Sequence, residues 1–126
     1  MHITVDIQDR RPIYIQVVDE IKALIASGEL REGAPLPPVR QLAADLDVNL
    51  NTVAAAYREL QTEGLIAIRH GSGAVVASTK SNSSDPVDLR KPLRSALTRM
   101  VLGGMGRAEI MAVVVDELRG LMKATK

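Results

Sequence analysis

The chain has 126 residues, 46% apolar and 25% charged, with a formal net charge of +1. That length suits one domain, or one small domain with an appendage. The absence of cysteine excludes disulfides, thiolate metal sites and thiol nucleophiles. No apolar run approaches the roughly 20 residues of a membrane helix, and the first residues do not look like a signal peptide. The expectation is therefore a cytoplasmic protein with no membrane partner.

Taken in order, residues 3–7 (Ile-Thr-Val-Asp-Ile) alternate apolar and polar, which predicts a short edge strand. After Pro12 the period changes. Ile15, Val18, Ile21, Leu24 and Ile25 recur at helical steps, with Gly28 as the stop. A turn-rich stretch, 32–38, leads into a short helix over about 38–46 with Leu42, Ala43 and Leu46 on its inner face. Asp47 and Val48 make a tight turn. Asn49 is placed to cap a third helix that runs to about Glu63, with Val53, Ala56, Tyr57 and Leu60 inward and Gly64 as its end. Residues 65–69 and 74–77 read as two strands joined through His70-Gly71-Ser72-Gly73, a hairpin signal. The small polar stretch 79–88 reads as a linker. Beyond it lie two amphipathic helical patterns separated by Gly103-Gly104-Met105-Gly106. The expected fold is mainly α with a small β-hairpin wing. It is a winged helix-turn-helix domain over 1–78, followed by a two-helix module over 89–126.

The informative unit is 38–64. A small residue, Ala43, lets the following helix cross close, and Val48 pins the angle just after the turn. The start of that helix then projects outward, where a major groove can receive it. Its exposed positions are Asn49, Leu50, Asn51 and Thr52, followed by Ala55 and Arg58, and the wing adds Arg69, His70 and Gly71. These amides, hydroxyls and guanidinium groups suit base edges and phosphates. The charge distribution runs the other way. Residues 1–78 hold seven Lys/Arg against ten Asp/Glu, and residues 79–126 hold nine against five. A groove-binding unit needs a positive face rather than a positive total, and Arg10, Arg11, Arg40, Arg58 and Arg69 are the residues available to make one.

Pro12-Ile13-Tyr14-Ile15-Gln16, Gly28-Glu29-Leu30, Leu36-Pro37-Pro38-Val39-Arg40-Gln41-Leu42-Ala43, Asn51-Thr52-Val53, Ala56-Tyr57-Arg58-Glu59-Leu60, Glu63-Gly64-Leu65-Ile66 and Gly71-Ser72-Gly73 follow one another at fixed intervals over rather more than half the chain. In order and spacing they resemble the N-terminal domain of GntR-family transcription regulators. The short tail resembles the YtrA-like branch, whose members are compact dimers often tied to transporter genes. The resemblance implies contacts to DNA from Arg40, from the helix start at Asn49 through Thr52, and from the wing at His70 and Gly71. Two departures bear on the operator. Pro38 stands where many members carry Ser, and Leu50 where many carry Arg. A thymine methyl is the apolar partner that Leu50 would suit.

Plainer readings stand beside these. Arg40 also reads as an ordinary solvated helix residue, Asn49 and Asn51 as caps, and Thr52 as a local bond to the backbone. His70 reads as a loop histidine, the wing glycines as turn-formers only, and Tyr57 as a core residue. The methionines at 100, 105, 111 and 122 suit packing, or the lining of a ligand cavity. Catalysis finds no support: His2 and His70 lack partners at metal-ligand spacing, and Asp116-Glu117 point different ways on a helix. Neither a metal nor a cofactor is expected.

The tail predicts a homodimer. Its second helix carries Ile110-Met111-Ala112-Val113-Val114-Val115 with almost no polar break, and must be covered on several sides. Leu93, Leu97, Met100, Val101, Ile110, Val113, Val114, Leu118 and Leu121 are the expected interface. Two-fold symmetry then calls for a near-palindromic DNA operator; a repressor is the expected role, and nothing in the residues separates it from an activator. A small-molecule effector is an open alternative that no residue constellation identifies. Two rivals remain: a winged helix that binds protein rather than DNA, and a sensor acting through an apolar pocket in the tail.

Overall fold

The computed structural model describes residues 1–69, 73–80 and 86–122. Cα packing divides the chain into two units, Met1–Asn82 and Ser83–Lys126. Among the described residues the order is α1 (Ile13–Ala26), β1 (Pro35–Leu36), α2 (Val39–Leu46), α3 (Leu50–Thr62), β2 (Ile66–Arg69), β3 (Gly73–Val76), α4 (Pro86–Leu102) and α5 (Arg107–Leu121). The strands form one antiparallel sheet in the order β1-β3-β2.

The first unit is built on α1 and α3. Val17, Val18, Ile21 and Ile25 of α1 pack with Val53, Ala56, Tyr57 and Leu60 of α3, and all eight are buried. The stripe on α1 differs slightly from its sequence reading. Ile15 and Leu24 are only half-buried, while Val17 is fully enclosed. Leu42 and Ala43 bring α2 onto the same core, and Leu65, Ile66, Ala74 and Val76 attach the sheet. Lys22 on α1 and Glu63 just past α3 add an ion pair at 2.8 Å.

Two local expectations are corrected. Residues 3–7 form no strand. The Gln16 side chain takes the role of a partner strand: its Oε1 accepts from the Asp6 N–H at 2.8 Å, and its Nε2 donates to the Asp6 and Arg11 carbonyls at 3.0 and 3.1 Å. Those bonds satisfy the backbone of the N-terminal segment and seat Ile3 in the core. The stretch read as turn-rich also contains a strand, because Pro35 and Leu36 pair with Val75 and Ala74. A proline is tolerated there because β1 lies at the edge of the sheet, where its missing N–H leaves no ladder bond unmade.

The turn between α2 and α3 sets their crossing. Asp47 adopts a left-handed conformation with φ of 56°. Its N–H donates to the Ala44 carbonyl at 3.2 Å, and the Val48 N–H donates to the Ala43 carbonyl at 3.0 Å. This pair of bonds is the Schellman arrangement, in which one left-handed residue ends a helix and reverses the chain. Gly64 ends α3 in the same way, with φ of 77° and the Leu65 N–H reaching the Leu60 carbonyl at 3.0 Å.

In the second unit α4 begins at Pro86, inside the stretch read as linker. A proline suits the first helical turn, where the N–H it lacks would have no acceptor. After Gly103 and Gly104 the chain enters α5, where the Glu109 carboxylate accepts from the Gly106 N–H at 3.5 Å. No residue of α5 is buried within a single chain.

Candidate nucleic-acid interface

The helix-turn-helix comprises α2 and α3. Burial of Val53, Ala56, Tyr57 and Leu60 fixes which side of α3 faces inward. With 3.6 residues per turn, Asn51, Ala55, Arg58 and Thr62 fall on the opposite stripe. Asn51 and Arg58 are exposed, and Ala55 is half-buried. Thr62 turns its hydroxyl back to the Arg58 carbonyl at 2.9 Å, so only the first turns of this stripe keep free polar side-chain groups. Leu50 lies off the stripe, toward the Tyr57 side of the helix, and is 37% exposed.

Asn49 is the cap of α3: its side-chain oxygen accepts from the Asn51 N–H at 2.7 Å. Its carbonyl group is thereby spent on the helix, which leaves the amide nitrogen for any outside partner. Thr52 is half-buried and stands beside Asn51. Residues Asn51, Thr52 and Ala55 line a concavity of about 500 Å³ with Pro12, Ile13 and Tyr14 of the α1 start. Local pattern reading omitted this second wall, because 37 positions separate Tyr14 from Asn51. In the sequence it is marked by Tyr14, which lies one turn before Val18 on the stripe of α1 and within the motif Pro12-Ile13-Tyr14-Ile15-Gln16.

Arg40 is the second residue of α2 and is exposed. The α2 start is tied to α3 through Tyr57, whose phenol donates to the Pro37 carbonyl at 2.6 Å. Burial pushes the Tyr57 phenol well above its ordinary pKa, so it remains a donor at any working pH. Arg69 ends β2 opposite Gly73 and is exposed. His70 and Gly71 lie outside the described residues.

The available cations are fewer than the sequence suggested. Arg11 is committed to Asp9 at 2.8 Å and to Asp19 at 2.6 Å. Hydrogen bonding to Asp9 raises its guanidinium pKa; burial opposes this, and the negative charges of Asp9, Asp19 and Glu20 add to the rise. Among the described residues no acidic group pairs with Arg10, Arg40, Arg58 or Arg69, so these four are available to an anionic partner. No group of three or more His, Asp or Glu residues suited to a metal occurs among the described residues.

Residues 13–76 match the family model described as bacterial regulatory proteins, gntR family. The chain belongs to the GntR family. Its helix-turn-helix and three-stranded wing sheet are thus those of a DNA-binding transcription regulator, a family of regulators rather than enzymes. The chain is 39% identical to the HTH-type transcriptional repressor YtrA of Bacillus subtilis over 60% of its own length and 58% of that protein's. It also resembles a solved structure, YtrA from Sulfolobus acidocaldarius, a GntR-family transcription factor, at 39% identity and a TM-score of 0.61, covering 75% of this chain and 96% of that one. This GntR regulator is YtrA-like. The chain further resembles AraR(DBD) in complex with operator ORX1, at 26% identity and a TM-score of 0.54 over 60% of this chain and all of that one. Among the described residues no helix is long and apolar enough to cross a membrane.

The nine expected dimerisation residues all lie on α4 and α5. Leu93, Val101, Val113, Leu118 and Leu121 are exposed in the single chain, and Leu97, Met100, Ile110 and Val114 are half-buried. Leu93, Leu97, Val101, Met105, Ile110 and Val114 border a concavity of about 920 Å³ between the two helices. Arg90, Lys91, Arg94 and Arg99 stand exposed on α4.

Proposed function

We propose that this YtrA-like regulator is a homodimeric, cytoplasmic repressor that binds a near-palindromic operator. One observation carries the proposal: α5 buries no residue within its own chain, although Ile110 to Val115 is almost entirely apolar. Apolar surface left in water is unfavourable by about 25 cal/mol per Å², and a contiguous patch of this kind marks an interface. A second copy offers the same patch, and two-fold pairing of like surfaces closes the assembly. Two α3 helices then meet half-sites about 34–36 Å apart, one DNA turn.

In this reading residues 1–78 bind DNA, 79–88 connect, and 89–126 dimerise. Asn51 and Thr52 meet base edges, Leu50 a thymine methyl, and Arg40, Arg58 and Arg69 phosphates. Asn49 holds the helix start and offers its amide nitrogen, and His70 and Gly71 belong to the wing contact. Likeness to the YtrA-like branch adds control of transporter genes. The apolar concavity between α4 and α5 supports a second reading, in which a small apolar molecule rather than a second chain covers that surface.

Selection of bound sequences from a random duplex pool, with affinities measured across a salt series, tests the proposal. Enrichment of a near-palindrome, with sedimentation at twice the 13.6 kDa chain mass, is the expected result. Arg40→Ala should weaken binding to every sequence alike and lower the salt slope by about one for each phosphate no longer neutralised. A chain that sediments as a monomer while bound to a single half-site would overturn the dimer and favour the second reading.

A further inference from the structure

The concavity in front of α3 has a wall that the recognition helix does not supply. Val18, Ile21 and Ile25 on α1 are buried with the core side of α3. Tyr14 extends that stripe by one turn toward the N-terminus and is exposed, while its neighbour Ile13 packs against the core. It lies beside the first turn of α3, where with Asn51, Thr52 and Ala55 it borders an open concavity of about 500 Å³. The two tyrosines of the chain contrast sharply. Tyr57 is 1% exposed and spends its hydroxyl on Pro37, whereas Tyr14 is 38% exposed and its hydroxyl has no partner among the described residues.

We infer that Tyr14 is a further DNA contact, one that grips the sugar–phosphate backbone at the edge of the groove occupied by α3. The inference rests on the DNA-binding reading above. The dimensions favour backbone over base. An α-helix with its side chains is about 10–12 Å across and the major groove is about 12 Å wide, so α3 fills the groove. A group standing beside the helix, on a different element, meets the rim, and phosphates line the rim. The small side chain of Ala55 leaves the concavity open, so a backbone segment can lie between Tyr14 and α3. The ring then rests on the sugar while the phenol donates to a phosphate oxygen. Such a contact positions the recognition helix without reading sequence.

The test compares the full-length wild type with Tyr14→Phe, Tyr14→Ala and Asn51→Ala. Each is titrated against the selected operator and its single-base-pair variants across a salt series. Tyr14→Phe should reduce affinity about 3- to 10-fold for every duplex, the effect of one hydrogen bond. The ranking of base variants and the salt slope should be unchanged, because a neutral phenol releases no counterion. Tyr14→Ala should lose more, again uniformly, whereas Asn51→Ala should flatten the ranking. Matching thermal midpoints of Tyr14→Phe and wild type confirm that folding is intact. Undiminished affinity in Tyr14→Phe and Tyr14→Ala, or an altered ranking in either, would overturn the inference while leaving the regulator reading in place. A wild type that selects no sequence would overturn both.

Discussion

The two units of this chain solve the burial problem in opposite ways. In Met1–Asn82, Val17, Ile21, Val53 and Leu60 are each sealed from solvent by the other helices of the same unit. In Ser83–Lys126 two helices also form, yet Leu93 is 54% exposed and Leu118 48%. Helix formation and core formation are therefore separable. The first follows from local pattern, and the second requires enough elements to surround a stripe. Three helices and a sheet suffice in the first unit. An α4–α5 hairpin has one internal face and must look elsewhere for cover.

Paired substitutions sharpen that contrast. Leu60→Ala removes a fully enclosed side chain, so it should destabilise the first unit by about 2–5 kcal/mol, read as a fall in the denaturation midpoint. Leu118→Ala, made in a half-exposed site, should cost the isolated monomer far less. Equal losses in the two variants at a concentration where the chain is monomeric would break the comparison.

Leu118→Glu should act on assembly rather than folding. A charge forced into an apolar interface costs several kcal/mol, so the monomer–dimer dissociation constant should rise at least about 100-fold, equivalent to about 2.7 kcal/mol. Sedimentation reads that change, and circular dichroism should show the first unit intact. A variant that still sediments as a dimer would place the interface elsewhere.

Tyr57→Phe tests the tie between α2 and α3. Losing the bond to Pro37 should cost about 1 kcal/mol. The same variant has a pH signature. Because burial raises the folded-state pKa of this phenol, its contribution is complete below a tyrosine's ordinary value of about 10. Above that pH the unfolded chain gains by ionising and the folded chain does not, so stability falls as pH rises. Tyr57→Phe should lose less stability than wild type between pH 9 and pH 11 (about two units spanning that ordinary value). Parallel stability–pH curves for the two proteins would show that Tyr57 ionises freely and is not sealed.

The smallest effect should be a gain. Asp47 holds a left-handed conformation with φ of 56°, which costs an ordinary residue about 1 kcal/mol relative to glycine. Asp47→Gly should therefore stabilise the first unit by a few tenths to about 1 kcal/mol, less the greater freedom of glycine in the unfolded chain. A lower midpoint would mean that the aspartate side chain contributes more to the turn than its backbone costs.

Much of the framework that carries the candidate site is legible in the sequence because its signals are local. Asn49 precedes a periodic stretch and is the cap, and Ala43 and Val48 bracket the turn whose two backbone bonds set the crossing. The wing strands were legible from their glycines and β-branched residues, each within about one residue of its observed ends. Availability of charge was not legible. Arg11 and Arg40 look alike in a sequence, but Arg11 is held between Asp9 and Asp19 while Arg40 has no acidic partner among the described residues.

The helices, their stops, the order of the helix-turn-helix and wing, and the presence of an apolar tail can all be read from the residues alone. Each follows from interactions between residues a few positions apart, and 3.6-residue periodicity, capping amides and left-handed turn positions are visible at that range. The pairing of Pro35 and Leu36 with a strand some 40 positions later emerges only in the folded chain. So do the replacement of a partner strand by the Gln16 side chain near Asp6, and the concavity that Tyr14 shares with Asn51. Those outcomes depend on which distant groups are brought within hydrogen-bond or packing distance, and packing of α1 on α3 is what brings them together.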